Sequence, residues 1–219
     1  MSGMTFETIK VKGVEALARF DALRADFLKG QGACPFVIGN DSDLESLRGS
    51  IEPPADGGES IIAAAQALDV TAILKERGFK RPRALSKKPT SPQGGFATLR
   101  GVLSKEIKEE IYIGLAPVQH SWDLFARLGF GGWNGCPEPA THVALHRYWS
   151  QKFKAFPVFI TGDTVECFVP GPSTDPAEIL QLAGEQACYC DDIVSQGYES
   201  PARLASSLVG AKVWYFWWD

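Results

Sequence analysis

The chain has 219 residues, of which 45% are hydrophobic and 22% charged, and its formal net charge is −4. A globular chain of this length can bury a sufficient core without disulfides or a structural metal. The sequence does not begin with a basic segment that leads into an apolar run, and no apolar stretch approaches the ~20 residues of a membrane span. We therefore expect a cytoplasmic protein without a signal peptide or a membrane partner. Its five cysteines show no paired framework, which is typical of reduced thiols.

Strands and helices alternate in the first part of the chain. Polar and apolar residues alternate in TFETIKVKG, which predicts a strand, and the apolar spacing of three or four residues in VEALARFDALRADFLKG predicts a helix. A short buried strand is predicted for CPFVIG and a short helix for DSDLESLRG. The Ala-rich segment ESIIAAAQALDVTAILKERG predicts a helix that breaks near Asp69 and ends at Gly78.

A basic segment follows these elements. From Arg77 to Lys105 there are eight basic residues and no acidic one. Such a stretch can meet nucleic acid or an acidic partner, but its prolines and glycines favour a solvated loop. We expect an exposed connection, notably from Lys80 to Gly95, and no nucleic-acid partner.

The second half predicts further strands and helices. IYIGLAPV predicts a buried strand, SWDLFARLGF begins with a short helical turn, and a helix is predicted to start near Pro139. FPVFITGDTVECFVP predicts a hairpin that turns at Gly162 and Asp163. Two more helices are predicted, one capped by Asp175 and one by Ser200.

The final aromatic run, VWYFWW, does not alternate with polar residues. We therefore expect it to be an inner strand with both faces covered. The predicted architecture is mixed α/β (α+β), with a single mixed sheet of about six strands flanked by helices and the aromatic strand inside the sheet. One domain is expected over residues 1–219: an N-terminal α/β portion (1–78), a basic Pro/Gly-rich loop (79–109) and a C-terminal core (110–219).

Four motifs in the C-terminal core resemble a known family. GGWNGCP, HRYW, LAGEQACYCDDIVSQG and LASSLVGAKVWYFWWD, in this order, are similar to the bacterial family catalogued as domain of unknown function 4253. The sequence departs from the family pattern at Asp191, where proline is usual, and at Phe153-Lys154, where Tyr-Gly is usual. The resemblance implies a family and no particular reaction. The motif positions are Gly131, Gly132, Trp133, Asn134, Cys136, Pro137, Arg147, Trp149, Glu185, Gln186, Tyr189, Cys190, Asp192, Gln196, Gly197, Trp214, Phe216, Trp217, Trp218 and Asp219.

A thiol and two carboxylates are the candidate catalytic residues. Such groups set among aromatic residues can form a hydrolase-like, Trp-walled cleft. An alternative nucleophile, Cys136, would need His142 or His146 as a base. The primary candidates are Cys190, Asp192 and Glu185.

Polar motif residues beside strongly apolar ones form a second candidate set. Buried polar groups need partners, so these residues either line a pocket or form a structural network. In such a network Arg147 is expected to pair with Glu185 or with Asp219, and Lys212 and Arg203 are the alternative cations for Asp219. The candidate binding residues are Trp133, Asn134, Arg147, Trp149, Gln186, Gln196 and Asp219.

Neither a metal site nor a cofactor is predicted. His142 and His146 share one helix face, but zinc sites favour two to four residues between paired cysteines. Cys188 and Cys190 are only two apart and point about 200° apart on a helix.

Two functional hypotheses remain open, and the sequence does not decide whether the protein is an enzyme. The first is a binding or interaction module, such as an immunity or accessory protein whose acidic balance suits a basic protein partner; a small-molecule ligand is left open. The second is the small hydrolase-like enzyme.

Overall fold

A computed structural model describes residues 6–88, 90, 94–101 and 104–219. Within these residues six strands form one sheet in the order β1-β3-β2-β4-β5-β6. β2 and β4 run parallel, and every other neighbouring pair is antiparallel. The prediction of a single mixed sheet flanked by helices is confirmed. The strands are β1 (Glu7–Lys12), β2 (Cys34–Gly39), β3 (Glu110–Ala116), β4 (Phe156–Ile160), β5 (Thr164–Phe168) and β6 (Val213–Trp217).

Local capping signals set the helix boundaries. The side chain of Asp69 accepts the N–H of Thr71, and this cap divides the Ala-rich segment into two helices. Asp175 accepts the N–H of Glu178 where another helix begins at Pro176. The helices are α1 (Gly13–Leu28), α2 (Asp41–Ser50), α3 (Glu59–Ala67), α4 (Val70–Glu76), α5 (Leu124–Leu128), α6 (Pro139–Phe153), α7 (Pro176–Tyr189) and α8 (Pro201–Leu208), with a 3₁₀ turn at Ser121–Asp123 and a π-helix at Ile193–Tyr198.

The aromatic strand β6 lies at an edge of the sheet and pairs with β5 alone, so the prediction of an inner strand was wrong. Alternate residues Trp214, Phe216 and Trp218 are buried against rings from α6 and α7. On the other face Trp217 is half-buried, and its Nε1–H donates to Asp163 at 3.2 Å. The run does not alternate with polar residues because aromatic rings occupy both faces of the strand, although the outward face reaches solvent.

The segment after α7 covers the end of β6. The thiol of Cys190 donates to the carbonyl of Trp217 at 2.9 Å, and the N–H of Asp219 donates to the carboxylate of Asp192 at 3.2 Å. Among the described residues Asp219 forms no ion pair. These contacts tie the outer edge of β6 to the π-helical segment.

The expected ion pair of Arg147 with Asp219 is wrong. Arg147 lies on α6 and donates to the carbonyl of Ala65 on α3, at 3.1 Å. Of the alternatives, Arg203 pairs with Glu199 instead. The error arose because the sequence does not reveal that α3 lies over α6.

The described part of the basic segment is tied to α7 and α8. Arg81 donates to the carbonyl of Ala177, and the N–H of Ser86 donates to the hydroxyl of Ser206. Most of these residues are nevertheless exposed. Residues 89, 91–93, 102 and 103, which the expected loop includes, lie outside the described residues. None of the helices in the described part of the chain has the length and apolarity needed to span a bilayer.

We predict that Trp218→Ala lowers the free energy of unfolding by about 3–5 kcal/mol, because Trp218 is only 2% exposed. The neighbouring Trp217→Ala is the matched control and should cost clearly less, since its ring is half-buried. Urea denaturation followed by circular dichroism measures both. Equal losses of stability for the two variants would contradict the placement of Trp218 on the buried face and of Trp217 on the outward face.

Candidate functional site

The side chains that meet between α6 and α7 are mostly aromatic. The rings of Trp149 on α6 and Phe216 on β6 stack with parallel planes, at a centroid distance of 5.7 Å. Tyr189, at the end of α7, meets both of these rings edge to face. Edge-to-face and offset contacts of this kind suit the ring quadrupoles. This packing is part of the buried core, and the buried polar residues Glu185 and Gln186 lie beside it.

A chain of buried polar contacts runs through this core. The hydroxyl of Tyr189 lies 2.7 Å from Nδ1 of His142 and 2.9 Å from Nε2 of His146. The remaining ring nitrogens meet thiols, with Cys136 3.3 Å from His142 and Cys167 3.9 Å from His146. All five residues are buried. The two histidines share one face of α6, as their spacing predicts, and both turn toward Tyr189.

The polar chain is satisfied only when both imidazoles are neutral. A neutral imidazole has one donor and one acceptor nitrogen, so donation can run in one direction from one thiol to the other through the Tyr189 hydroxyl. Burial lowers the pKa of His142 well below its usual value, and burial lowers the pKa of His146 to about 3. The unfolded chain protonates its histidines below their ordinary pKa near 6.5, whereas the folded protein keeps these two neutral. With respect to these two groups the protein is therefore most stable above about pH 6.5 and loses stability as the pH falls toward the pKa values of the folded state.

The same burial works against a cysteine nucleophile. The structure does bring Cys136 to His142, as the alternative catalytic hypothesis requires, but burial raises the pKa of the Cys136 thiol and lowers that of the imidazole. The pair is therefore a thiol beside a neutral base. A reactive cysteine needs the thiolate, which is favoured in partly exposed, electropositive surroundings.

The three primary catalytic candidates do not share a cleft. The Cys190 thiol is fully buried against the carbonyl of Trp217, and burial raises its pKa to about 12. Asp192 lies at the surface and accepts hydrogen bonds from Gln196 and Asp219. Glu185 points elsewhere, toward α6.

The carboxylate of Glu185 is the one candidate group that is both buried and beside a cavity. It is 1% exposed and accepts hydrogen bonds from Trp149 Nε1 at 2.9 Å, the Tyr148 hydroxyl at 3.0 Å and Gln181 Nε2 at 3.1 Å. All three donors are neutral. Among the described residues no cation lies within ion-pair distance of this carboxylate. Burial raises the pKa of the Tyr148 hydroxyl, and the Glu185 charge adds to this effect.

A cavity of about 550 Å³ opens beside Glu185, between the α3–α4 joint, α6 and α7. Arg147 and Lys75 also line it, as do the amides of Gln151 and Gln181. A second cavity, of about 610 Å³, adjoins the first and shares Arg147 and Gln151 with it. The apolar wall of the first cavity consists of Leu68, Val70, Leu74, Phe79 and Ala144.

The other predicted binding residues are dispersed. Trp149 is buried and contacts the site by its hydrogen bond to Glu185. Gln186, which follows Glu185 in the chain, is also buried. Trp133 packs edge to face on Phe130 and Trp218. The rest are exposed: Asn134, Gln196 and Asp219. Of the seven candidates only Arg147 lines the cavity.

The sulfur and imidazole groups of the zinc alternative do not converge. The thiol of Cys188 faces the carbonyl of Leu74, whereas that of Cys190 faces Trp217. Across residues 6–88, 90, 94–101 and 104–219, no group of three or more His, Cys, Asp or Glu is placed to hold a metal ion.

Sequence reasoning missed most of the cavity. Gln181 and Glu185 are four residues apart on α7, and this spacing alone places both on one helix face. Lys75, Leu74 and Phe79 gave no such signal, because they belong to a different part of the chain and approach α7 only in the folded protein.

Comparison with known families accounts for just under half of the chain, 108 of its 219 residues. Residues 112–219 match the model of a family described as "Domain of unknown function (DUF4253)". These residues belong to that family. Searches of curated proteins and of solved structures gave no significant match. The DUF4253 segment supplies Glu185, Tyr148 and Arg147, whereas the wall formed by the α3–α4 joint, α4 and Phe79 lies outside it.

We predict that Tyr189→Phe lowers stability although it preserves the ring. It leaves one nitrogen each of His142 and His146 without the shared hydroxyl, and an unpaired buried polar group costs about 1–3 kcal/mol. Tyr198→Phe is the control, because this tyrosine is half-buried and its hydroxyl makes no hydrogen bond to any of the described residues. The urea midpoint should fall for the first variant, and the free energy of unfolding should stay within about 0.5 kcal/mol of wild type for the second. An unchanged midpoint for Tyr189→Phe would refute the shared-hydroxyl arrangement.

Proposed function

We propose that the protein is a binding module that takes up a cationic group, a primary amine or a guanidinium, in the cavity beside Glu185. The observation that carries this proposal is a buried carboxylate whose hydrogen-bond donors are all neutral. No catalytic step is part of the proposal.

The energetics of Glu185 support a cationic ligand. Burying a carboxylate without a counter-charge is costly, and hydrogen bonds from neutral groups offset only part of that cost. An ionised carboxylate offers about four acceptor positions, and three are occupied. A ligand N–H can therefore be added without displacing Trp149, Tyr148 or Gln181.

The cavity walls support a ligand with an apolar portion. Leu68, Val70, Leu74 and Phe79 form a continuous apolar surface that ends at the polar groups on α6 and α7. Binding cavities typically combine such walls with a few placed polar groups. An alkyl or aromatic amine fits this arrangement better than a strongly hydrated inorganic cation.

The cationic group can belong to a small molecule or to a lysine or arginine side chain of a protein partner. A partner's lysine or arginine side chain would agree with the hypothesis of an immunity or accessory protein, since the acidic balance of the chain favours a basic partner. The hydrolase-like alternative receives no support from the cavity, which is lined by neither Cys190 nor Asp192.

We predict that 3-methylbutylamine binds the wild type saturably and that Glu185→Gln weakens this binding by about 10–100-fold. This range corresponds to the ~1.5–3 kcal/mol of a hydrogen bond to a charged group. Isothermal titration calorimetry measures both affinities. Glu178→Gln is the matched control, because Glu178 lies on the same helix but pairs with Lys152 outside the cavity, at 3.9 Å.

The Glu185→Gln variant is designed to remain folded. Its amide oxygen can still accept from Trp149, while its NH₂ can donate to the hydroxyl of Tyr148. Thermal melts of both variants verify this point. If a folded Glu185→Gln protein binds the amine as well as wild type does, or if wild type does not bind the amine, the proposal is wrong.

A further inference from the structure

We propose that the ligand of this cavity is a zwitterion, an α-amino acid with an apolar side chain, whose ammonium group meets Glu185 while its carboxylate meets Arg147. This inference rests on the proposed function and names its ligand class. The observation behind it is the presence of a buried carboxylate and a guanidinium on different walls of one apolar cavity.

The charges around the cavity are balanced but separated. Two acidic residues, Asp69 and Glu185, and two basic residues, Lys75 and Arg147, line it. The carboxylate of Asp69 already caps α4 by accepting the N–H of Thr71 at 3.0 Å. Glu185 is therefore the acidic group placed for an ammonium ion, and the basic groups remain for an anion.

Helix geometry places Arg147 and Glu185 on different sides of the cavity. Successive residues on a helix point about 100° apart. Tyr148 turns toward α7, where its hydroxyl meets Glu185, whereas Arg147 turns toward α3 and meets the carbonyl of Ala65. A ligand that joins the two groups must carry opposite charges at separate positions.

Arg147 retains hydrogen-bonding capacity for a carboxylate. A guanidinium has five N–H donors in a planar fork, which suits two-point contact with a carboxylate. One of these donors contacts Ala65, and Arg147 also lies within electrostatic reach of Asp123, which lines the adjoining cavity. Arg147 on α6 and Lys75 on α4 supply the positive charge of this cavity.

A singly charged ligand matches the cavity less well. A lone amine would satisfy Glu185 but would make no use of Arg147 or Lys75, and a lone carboxylate would enter beside a buried negative charge. The apolar wall of Leu74 and Phe79 provides a surface for the side chain. An apolar amino acid matches all three features.

Three probes that share one carbon skeleton test this inference by isothermal titration calorimetry. They are L-leucine, 3-methylbutylamine, which lacks the carboxylate, and 4-methylpentanoate, which lacks the amine. We expect leucine to bind wild type about tenfold or more tighter than the amine, because a charge-assisted contact is gained. The acid should show no saturable binding.

Two variants assign the carboxylate contact. Arg147→Met retains the apolar stem and should lower the affinity for leucine to that for the amine, with the affinity for the amine unchanged. Arg147→Lys keeps the charge without the planar fork and should restore part of the difference. Because Arg147 also holds α3, thermal melts accompany both variants, and Arg147→Lys serves as the test if the methionine variant is unfolded.

The outcomes separate the two proposals. If wild type binds leucine and the amine equally, or if a folded Arg147 variant retains the full preference for leucine, the zwitterion inference is overturned while the cation proposal stands. If the amine does not bind at all, both proposals fail. A preference for leucine that depends on Arg147 supports both.

Discussion

Polar groups held in a largely aromatic interface fix how α6 and α7 meet. Glu185 and Tyr189 lie one turn apart on α7, and each holds two residues of α6: Glu185 holds Tyr148 and Trp149, and Tyr189 holds two histidines. Apolar packing alone tolerates sliding of one helix along another. Buried donors and acceptors do not, because each displacement leaves a group unpaired. This constraint sets the shape of the core and the position of the cavity.

The two ends of the interface differ in charge and in access. The Tyr189 end is closed and neutral, since burial lowers the pKa of both histidines and raises that of the tyrosine. The Glu185 end carries a carboxylate beside a cavity that the N-terminal portion completes through Leu68, Val70, Leu74 and Phe79. The neutral end therefore stabilises the fold, and the charged end is where we propose that a ligand binds. The segment that matches the family model, residues 112–219, includes both ends.

Local signals in the sequence were sufficient for the helices and strands, because caps such as Asp69 and Asp175 act within a few residues. Glu185 could be selected as a candidate because it is polar and lies among apolar residues. Long-range placement could not be derived in the same way. The sequence shows neither that β6 lies at the sheet edge nor that α3 covers α6, so the partner expected for Arg147 was wrong. The cavity was missed for this reason, since its lining residues come from two segments that are 65 or more residues apart.

A crystal structure of the protein soaked with 3-methylbutylamine tests the central claim most directly. We predict density for the amine between α4, α6 and α7, with its nitrogen within about 3 Å of a Glu185 carboxylate oxygen and its alkyl group against Leu74 and Phe79. The hydrogen bonds of Glu185 to Trp149 and Tyr148 should persist in the complex. An amine bound at another site, or in this cavity with its nitrogen turned away from Glu185, would contradict the account.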